Sequence, residues 1–468
     1  MMKISKEGEM TLKQVETKEV YHVLKDLTVE VEVINNPYHF ELEQLFQMAA
    51  RINKNRSFLF VSQVLGKHLA VNAKIPLLVG SLLAIRHLEV VHGVCDPRAQ
   101  KIASAIQTKQ GLEEIWCSLQ NDPLHLPKPT TFIGFAETAT ALGHAVFSTF
   151  KNNAKYIHTT REQVVNLSSI INFEEEHSHA TSHRVYALNS EFFQDDSEVV
   201  LVDDEVTTGK TAINIIRKIK SQYPLKKVFT IVSILDWRTP EYRERYRKLE
   251  EELNITIHTI SLIDGIVSIE GTPNIEDNEM KIEETFQPVV SYLPVNDLIS
   301  SENLQQNSSI SVNGIPNKSY YLQSTGRFGL TIEKEKEYSS QIHKIADFLK
   351  EHRHGEKTLV VGTGEFMYVP MHIASQMGEH VYFQSTTRSP IYHLDSQDYT
   401  IQQKFVFDSP ENQGVTNYLY NIESNQYDEV FIIFERIASL DAVSPLIEQF
   451  SKVKLPFIHI VNLTEIAE

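Results

Sequence analysis

The apolar positions of this chain gather in short continuous runs. Val199-Val200-Leu201-Val202, Val228-Phe229-Thr230-Ile231-Val232-Ser233-Ile234-Leu235 and Glu429-Val430-Phe431-Ile432-Ile433 are the clearest. Runs of this length, bounded by polar turns, are expected of strands buried on both faces, as in parallel sheets covered by helices. Between them lie helical stretches such as Lys210 to Ile219 and the charged Pro240 to Leu253. The alternation predicts an α/β fold. At 468 residues the chain exceeds one ordinary core, so two domains are expected. Residues 272 to 318 carry little pattern and include the polar run Ser300 to Ser309, which makes them a linker between a domain at 31–271 and another at 319–468, with 1–30 as an N-terminal extension.

The strand at 199–202 carries most of the chemistry. It delivers Asp203, Asp204 and Glu205 to its C-terminal end, where open α/β sheets bind ligands. Val206, Thr207, Thr208, Gly209, Lys210 and Thr211 follow at once, a loop whose amides and hydroxyls can hold a phosphate at the start of a helix. The carboxylates suit the vicinal hydroxyls of a ribose and can lie close to Mg²⁺. Two alternatives stand beside that reading. One is a degenerate P-loop, although Asp204 occupies the position where that pattern needs glycine; the other is an ordinary strand-to-helix turn with solvated acids.

Other segments fall in a compatible order. Thr131 to Gly143 reads as a short strand, a loop of small residues (Gly134, Phe135, Ala136, Glu137, Thr138) and a helix start, where main-chain amides could hold a second anion; alone it is equally a generic turn. Tyr156 to Glu162 reads as a strand ending in Arg161. The stretch 173–184, with Glu175, Glu176, His177, His179 and His183, has no periodicity and reads as a solvated polar loop, or as a zinc site through His177 and His179 that lacks further ligands at recognisable spacing; its counterpart in the family named below implies a closing loop. Trp237 and Arg238 end the next strand and could face a planar base or its carboxylate, against the plainer reading of core packing.

The C-terminal part repeats the first. Gly362-Thr363-Gly364-Glu365 matches Gly134-Phe135-Ala136-Glu137 at 362 − 134 = 228, and Thr386-Thr387-Arg388 matches Thr159-Thr160-Arg161 at 388 − 161 = 227. Ser57 to Ser62 before Gly66-Lys67 likewise resembles Ser319 to Ser324 before Gly326-Arg327. Repetition in one register points to a duplicated fold. The copies differ where it matters: Phe434 to Ala442 stands in place of Asp203 to Thr211 and lacks its phosphate loop. The first copy also holds extra length, Asp96 to Asp122, read as an amphipathic helix that could form a hood over a base.

The strand, the acids and the Thr-rich loop of 199–211 resemble the 5-phosphoribosyl-1-pyrophosphate (PRPP) motif of type I phosphoribosyltransferases. Gly326-Arg327-Phe328-Gly329, Glu365 to Pro370 and Ser385-Thr386-Thr387-Arg388-Ser389-Pro390 resemble the Thr-Arg-Ser-Pro (TRSP) domain found behind an orotate-like phosphoribosyltransferase domain in a bacterial family associated with tellurium-resistance and stress gene clusters. The resemblance implies two phosphoribosyltransferase-like domains, the second degenerate, and transfer of 5-phosphoribosyl to a base or orotate-like acceptor with release of pyrophosphate. It implies Mg²⁺ as cofactor. Asp203 and Asp204 would take the ribose hydroxyls or the metal, with Glu205 and Arg161 beside them. Val206 to Thr211 would hold the 5-phosphate, and Gly134 to Thr138 the pyrophosphate. Ser62, Lys67, Trp237 and Arg238 would face the acceptor. Orotate-type enzymes pair as two-fold dimers, so a homodimer or an internal pseudo-dimer is expected, with Arg327, Glu365, Arg388 and Ser389 presented by the second half. A PRPP-binding regulator or scaffold without turnover is the alternative.

Composition narrows this further. A net charge of −17 disfavours a nucleic-acid partner. The 2 cysteines, Cys95 and Cys117, sit in apolar contexts where buried reduced thiols are expected. No apolar run is read as approaching the roughly 18 residues of a membrane span, and the first residues lack a signal-type segment; a cytoplasmic protein is expected.

Overall fold

The computed structural model describes residues 17–466 apart from 53–56, 175–181, 274, 276–285, 311–313 and 438. Two sheets organise it. In chain order their strands are β1 (Thr17–Leu24), β2 (Leu27–Asn35), β3 (Val71–Asn72), β4 (Thr130–Gly134), β5 (Ala154–His158), β6 (Glu198–Val202), β7 (Val228–Asp236), β8 (Thr256–Gly271), β9 (Val289–Tyr292), β10 (Leu330–Thr331), β11 (Thr358–Gly362), β12 (Val381–Ser385), β13 (Glu429–Phe434) and β14 (Phe457–Asn462). The helices that matter below are α1 (Lys74–His92), α2 (Ala99–Thr108), α3 (Leu112–Asn121), α4 (Ala139–Ser148), α5 (Lys210–Gln222), α6 (Pro240–Leu253), α7 (Ile332–Glu351) and α8 (Tyr368–Gln376).

The first sheet runs β1-β2-β8-β7-β6-β4-β5-β10, and the second β9-β14-β13-β11-β12-β3. From β5 to β8 every pairing in the first sheet is parallel, as is every pairing from β12 to β9 in the second. Numbered by appearance, the first core reads 2-1-3-4-5 and the second 2-1-3-4, the doubly wound order whose switch point lies between strands 1 and 3. All five residues of β4, β6 and β11 and all six of β13 are buried, which explains why the sequence shows continuous apolar runs there.

The halves exchange edges. β10, which follows Gly326-Arg327, pairs antiparallel with β5 of the first sheet, while β3, which follows Gly66-Lys67, pairs antiparallel with β12 of the second. One hydrophobic core runs through both halves, from Leu27 and Phe132 to Phe383 and Val461. Close helix packing supports it: α1 lies on α4, and a Cβ at Gly80 would stand 2.5 Å from the Cβ of Ala145.

Several boundaries move. The expected break at residue 30 falls inside β2, which pairs with β8 because its alternating Leu27, Val29, Val31 and Val33 bury one face. The expected linker supplies β9 to the second sheet. The single hood helix expected over 96–122 is a pair, α2 and α3, broken at Lys109 and Gly111 in left-handed conformations; it packs on α1. Both cysteines are exposed, Cys117 because it lies on the polar face of α3 beside Glu113. α1 is, among the described residues, long and apolar enough to cross a membrane, but 72% of it is buried within the protein.

Candidate functional site

The loop after β6 opens a cavity of 160 Å³ lined by Phe135, Asp203, Glu205, Val206, Thr207, Thr208, Gly209, Lys210, Thr211, Ala212 and Ile231. It stands at the switch point, between the C-terminal ends of β4 and β6. Backbone pairing holds the loop open: Glu205–Val206 forms a short parallel ladder with β7, and Trp237 N donates to the Val206 carbonyl at 2.8 Å. Gly209 takes φ +68°, and a Cβ there would fall 2.3 Å from the Tyr246 hydroxyl, which donates to the Gly209 carbonyl at 2.8 Å. Gly209 is also the N-cap of α5, which has no side-chain cap and no acid in its first turn. A thirteen-residue helix starting this way turns its first-turn amides and the positive end of its dipole to the cavity, with the Lys210 amide donating to Thr208 Oγ1 at 3.4 Å, the physical recipe for an anion site. Asp203 and Glu205 supply the wall carboxylates. Asp204 does not line the cavity; its carbonyl accepts from Ile234 N at 3.1 Å and its N–H donates to Asp203 Oδ1 at 3.0 Å.

The loop after β4 faces the same switch point. Phe135 N donates to the Val202 carbonyl at 3.1 Å and Ala136 N to Thr159 Oγ1 at 2.8 Å, so the expected row of anion-holding amides from Gly134 to Thr138 narrows to Glu137 and Thr138. Both side chains are buried, with Glu137 Oε2 3.4 Å from Arg161 Nη1. Arg161 lies three residues past the end of β5 rather than ending that strand. Lys67, on the loop before β3, reaches the Thr138 hydroxyl.

Of the expected closing loop, Glu175, Glu176, His177 and His179 lie outside the described residues. Its root is the antiparallel hairpin Ile171–Glu174 with Ser182–Val185. His183 is fully buried there, 3.0 Å from Thr159 Oγ1 through Nδ1 and stacked on Phe173 at 5.1 Å. Thr159 therefore ties the hairpin to the Ala136 amide, and Phe173 packs at 6.0 Å against Phe135 of the cavity wall.

The acceptor candidates scatter. Trp237 is buried, stacked on Phe60 at 5.2 Å and edge-on to Phe46 at 5.8 Å, so it packs core. Arg238 is 2% exposed and clamped by Asp236, with Nη2 2.6 Å from Oδ2 and its plane 4.3 Å from the Tyr246 ring; a guanidinium so neutralised holds the strand end and does not face a ligand. Ser62 caps its own turn, accepting from Val64 N at 3.2 Å.

The second half touches this site through a residue pair the repeat already singled out. Glu365 accepts from the Thr160 hydroxyl at 2.5 Å and from Arg161 N at 2.8 Å, and its carbonyl accepts from Thr140 Oγ1 at 2.9 Å. Behind it Arg327, 2% exposed, donates to Thr160 Oγ1 at 2.9 Å, Glu365 Oε2 at 3.1 Å and Glu435 Oε2 at 2.9 Å. Glu162 completes the cluster, accepting from the Tyr321 hydroxyl at 2.6 Å and from Asn412 at 3.2 Å. Burial opposes its ionisation, but Arg327 and Arg436 outweigh that and hold its carboxyl down to about 2. Glu411, beside the same cluster, goes the other way: burial pushes it up to about 8, aided by Glu435. Arg388 is half-buried and lines a cavity of 20 Å³ with Glu162, Arg327, Glu365, Glu411 and Arg436, so it borders the cluster that joins the halves and does not line the cavity after β6; Ser389 is held in its own turn by Thr387 Oγ1 at 3.1 Å.

Thr159, Thr160, Glu162 and Glu435 were not foreseen as site residues. The signal existed for Glu435, which stands where the register of the strands places Asp204 (435 − 204 = 231, as 429 − 198 = 231). Burial of Glu162 depends on Arg327, 165 residues away (327 − 162), and no local pattern carries that.

Solved structures similar to the chain include the adenine phosphoribosyl transferase of Trypanosoma brucei in complex with AMP, pyrophosphate and ribose-5-phosphate, at 11% identity over 53% of this chain and 86% of that one, TM-score 0.29. The adenine phosphoribosyltransferase of Saccharomyces cerevisiae is similar at 12% identity over 47% and 95%, TM-score 0.22, and a hypoxanthine phosphoribosyltransferase of Staphylococcus aureus at 12% over 42% and 78%, TM-score 0.19. No curated protein matches the chain. Residues 45–266 match the phosphoribosyl transferase family and residues 324–450 match the TRSP domain that lies C-terminal to it, so the chain belongs to the phosphoribosyl transferases that carry a C-terminal TRSP domain.

Proposed function

We propose that the protein transfers 5-phosphoribosyl from PRPP to the nitrogen of a base or orotate-like acceptor, releasing pyrophosphate and forming a nucleotide or nucleotide-like product. The observation that carries this reading is the uncapped, acid-free start of α5 set against Asp203 and Glu205 in one cavity. The α5 amides and the hydroxyls of Thr207, Thr208 and Thr211 hold the 5-phosphate. Asp203 accepts from the ribose hydroxyls. The C1–O bond to pyrophosphate breaks as the C1–N bond forms, and negative charge gathers on the leaving group. Arg161 and the amides of Glu137 and Thr138 face that charge. Glu365 fixes the Arg161 backbone, so the second half positions the group that meets the leaving anion. The carboxylate oxygens of Asp203 and Glu205 are hard donors that fit Mg²⁺, which when bound neutralises pyrophosphate charge. The test is PRPP-dependent pyrophosphate release across a panel of purine and pyrimidine bases and orotate-like acids. Release with at least one acceptor supports the reading; PRPP binding without release under every acceptor supports a regulator instead.

A further inference from the structure

The sheet has a second polar cluster at its other end, away from the ligand loops. His87 and His92 lie near the C-terminal end of α1, and Glu198 is the first residue of β6, five residues before Asp203. One ligand atom from each of the three falls within 4.8 Å of the others. His87 is fully buried and neither of its ring nitrogens has a hydrogen-bond partner; His92 Nε2 and Glu198 Oε2 are buried without one as well. Four orphaned lone-pair or N–H positions in one place is a cost that a native interior rarely carries without a ligand. His92 Nε2 stands 3.5 Å from Glu198 Oε2. Two ligands at about 2.1 Å from a tetrahedral ion are about 3.4 Å apart, so that pair already has the spacing of neighbouring zinc ligands.

We infer that His87, His92 and Glu198 form a binding site for a borderline divalent transition metal, Zn²⁺ by preference, that clamps the end of α1 to the start of β6. Two imidazoles and one carboxylate match the donor set zinc takes. Lys128 Nζ, 3.0 Å from Glu198 Oε1, grips the other carboxylate oxygen and leaves Oε2 turned to His92. A water would fill the fourth position. The plain alternative is a His92–Glu198 ion pair, and it leaves both nitrogens of His87 unexplained. Because the site lies at the N-terminal end of β6, its role is structural.

The test uses the full chain without a polyhistidine tag, stripped by chelator and titrated with Zn²⁺ against a chromophoric competitor. One Zn²⁺ per chain at sub-micromolar affinity, with a rise in Tm, is expected. His92→Ala and Glu198→Gln should each weaken binding at least ~100-fold, beyond the ~10–100-fold that outer-shell partners give. Cys95→Ser and the pair His177→Ala with His179→Ala should leave it unchanged. X-ray absorption of the zinc-loaded wild type, which needs no variant to fold, should give a nitrogen/oxygen shell near ~2.0–2.2 Å with imidazole scattering and no sulfur near ~2.3 Å. Absence of binding at micromolar Zn²⁺, a sulfur shell, binding lost with the cysteine or loop histidines, or binding that survives in His92→Ala would each overturn the assignment.

Discussion

β6 and β13 occupy the same place in the same strand order, yet their ends have opposite fates. After β6, Asp203, Glu205 and a Thr-Gly loop open a cavity of 160 Å³ at a helix start with no N-cap side chain. After β13, Glu435 and Arg436 are each 2% exposed, and the cavity beside them is 20 Å³. The strands tolerate this divergence because their order is set by buried aliphatic faces, which β13 keeps in full. An anion cradle, by contrast, rests on a glycine that can take positive φ and on hydroxyls at fixed offsets, and Leu440 stands where such a loop would turn. In the second half charge has been turned inward instead. Arg327, Glu365 and Glu435 now join that half to the first one's Thr160, Arg161 and Glu162.

The largest way to break the comparison is at the open end. Asp203→Asn with Asp204→Asn should lower transfer by ~10³-fold or more, while Tm stays within about 2 °C because both side chains sit half-exposed at a strand end. Loss of several degrees alongside activity would make them structural. Glu365→Ala should act on both halves at once: it takes a carboxylate from buried Arg327, a loss of the kind that costs roughly 3–5 kcal/mol, and frees the Arg161 backbone. A fall in both Tm and kcat is expected, with Glu365→Gln intermediate in Tm. Glu411 gives a pH test. Its folded pKa, near 8, lies above the ordinary carboxyl value, so its contribution erodes stability as pH rises from about 4.5 to about 8, by on the order of 1 kcal/mol per pH unit. Glu411→Gln should therefore raise Tm more at pH 8 than at pH 5.5; an equal gain at both would remove the assignment. The smallest effect belongs to Arg388→Ala. Arg388 does not line the cavity after β6, so turnover should change by less than about 2-fold, contrary to what the repeat alone suggests.

Both parallel cores were legible because buried parallel strands announce themselves as unbroken apolar runs, and the repeat offsets located the second set. Asp203, Glu205 and the Thr207 to Thr211 loop were legible because they are contiguous in sequence and in space. Trp237 and Arg238 misled because a strand end can point into core as readily as into a cleft, and only Asp236, Phe60 and Tyr246 decide which. The exchange of β3 and β10 was invisible, since two-residue strands have no period to read. Glu162 and Thr160 were missed for a related reason: their partners come from the other half of the chain.

The central claim is that one end of one sheet binds PRPP and its counterpart does not. Isothermal titration of the full chain with PRPP and Mg²⁺ tests it most directly. One binding event per chain is predicted, abolished by Asp203→Asn with Asp204→Asn and preserved in Arg388→Ala. Two events per chain, or one that survives the double substitution, would contradict it.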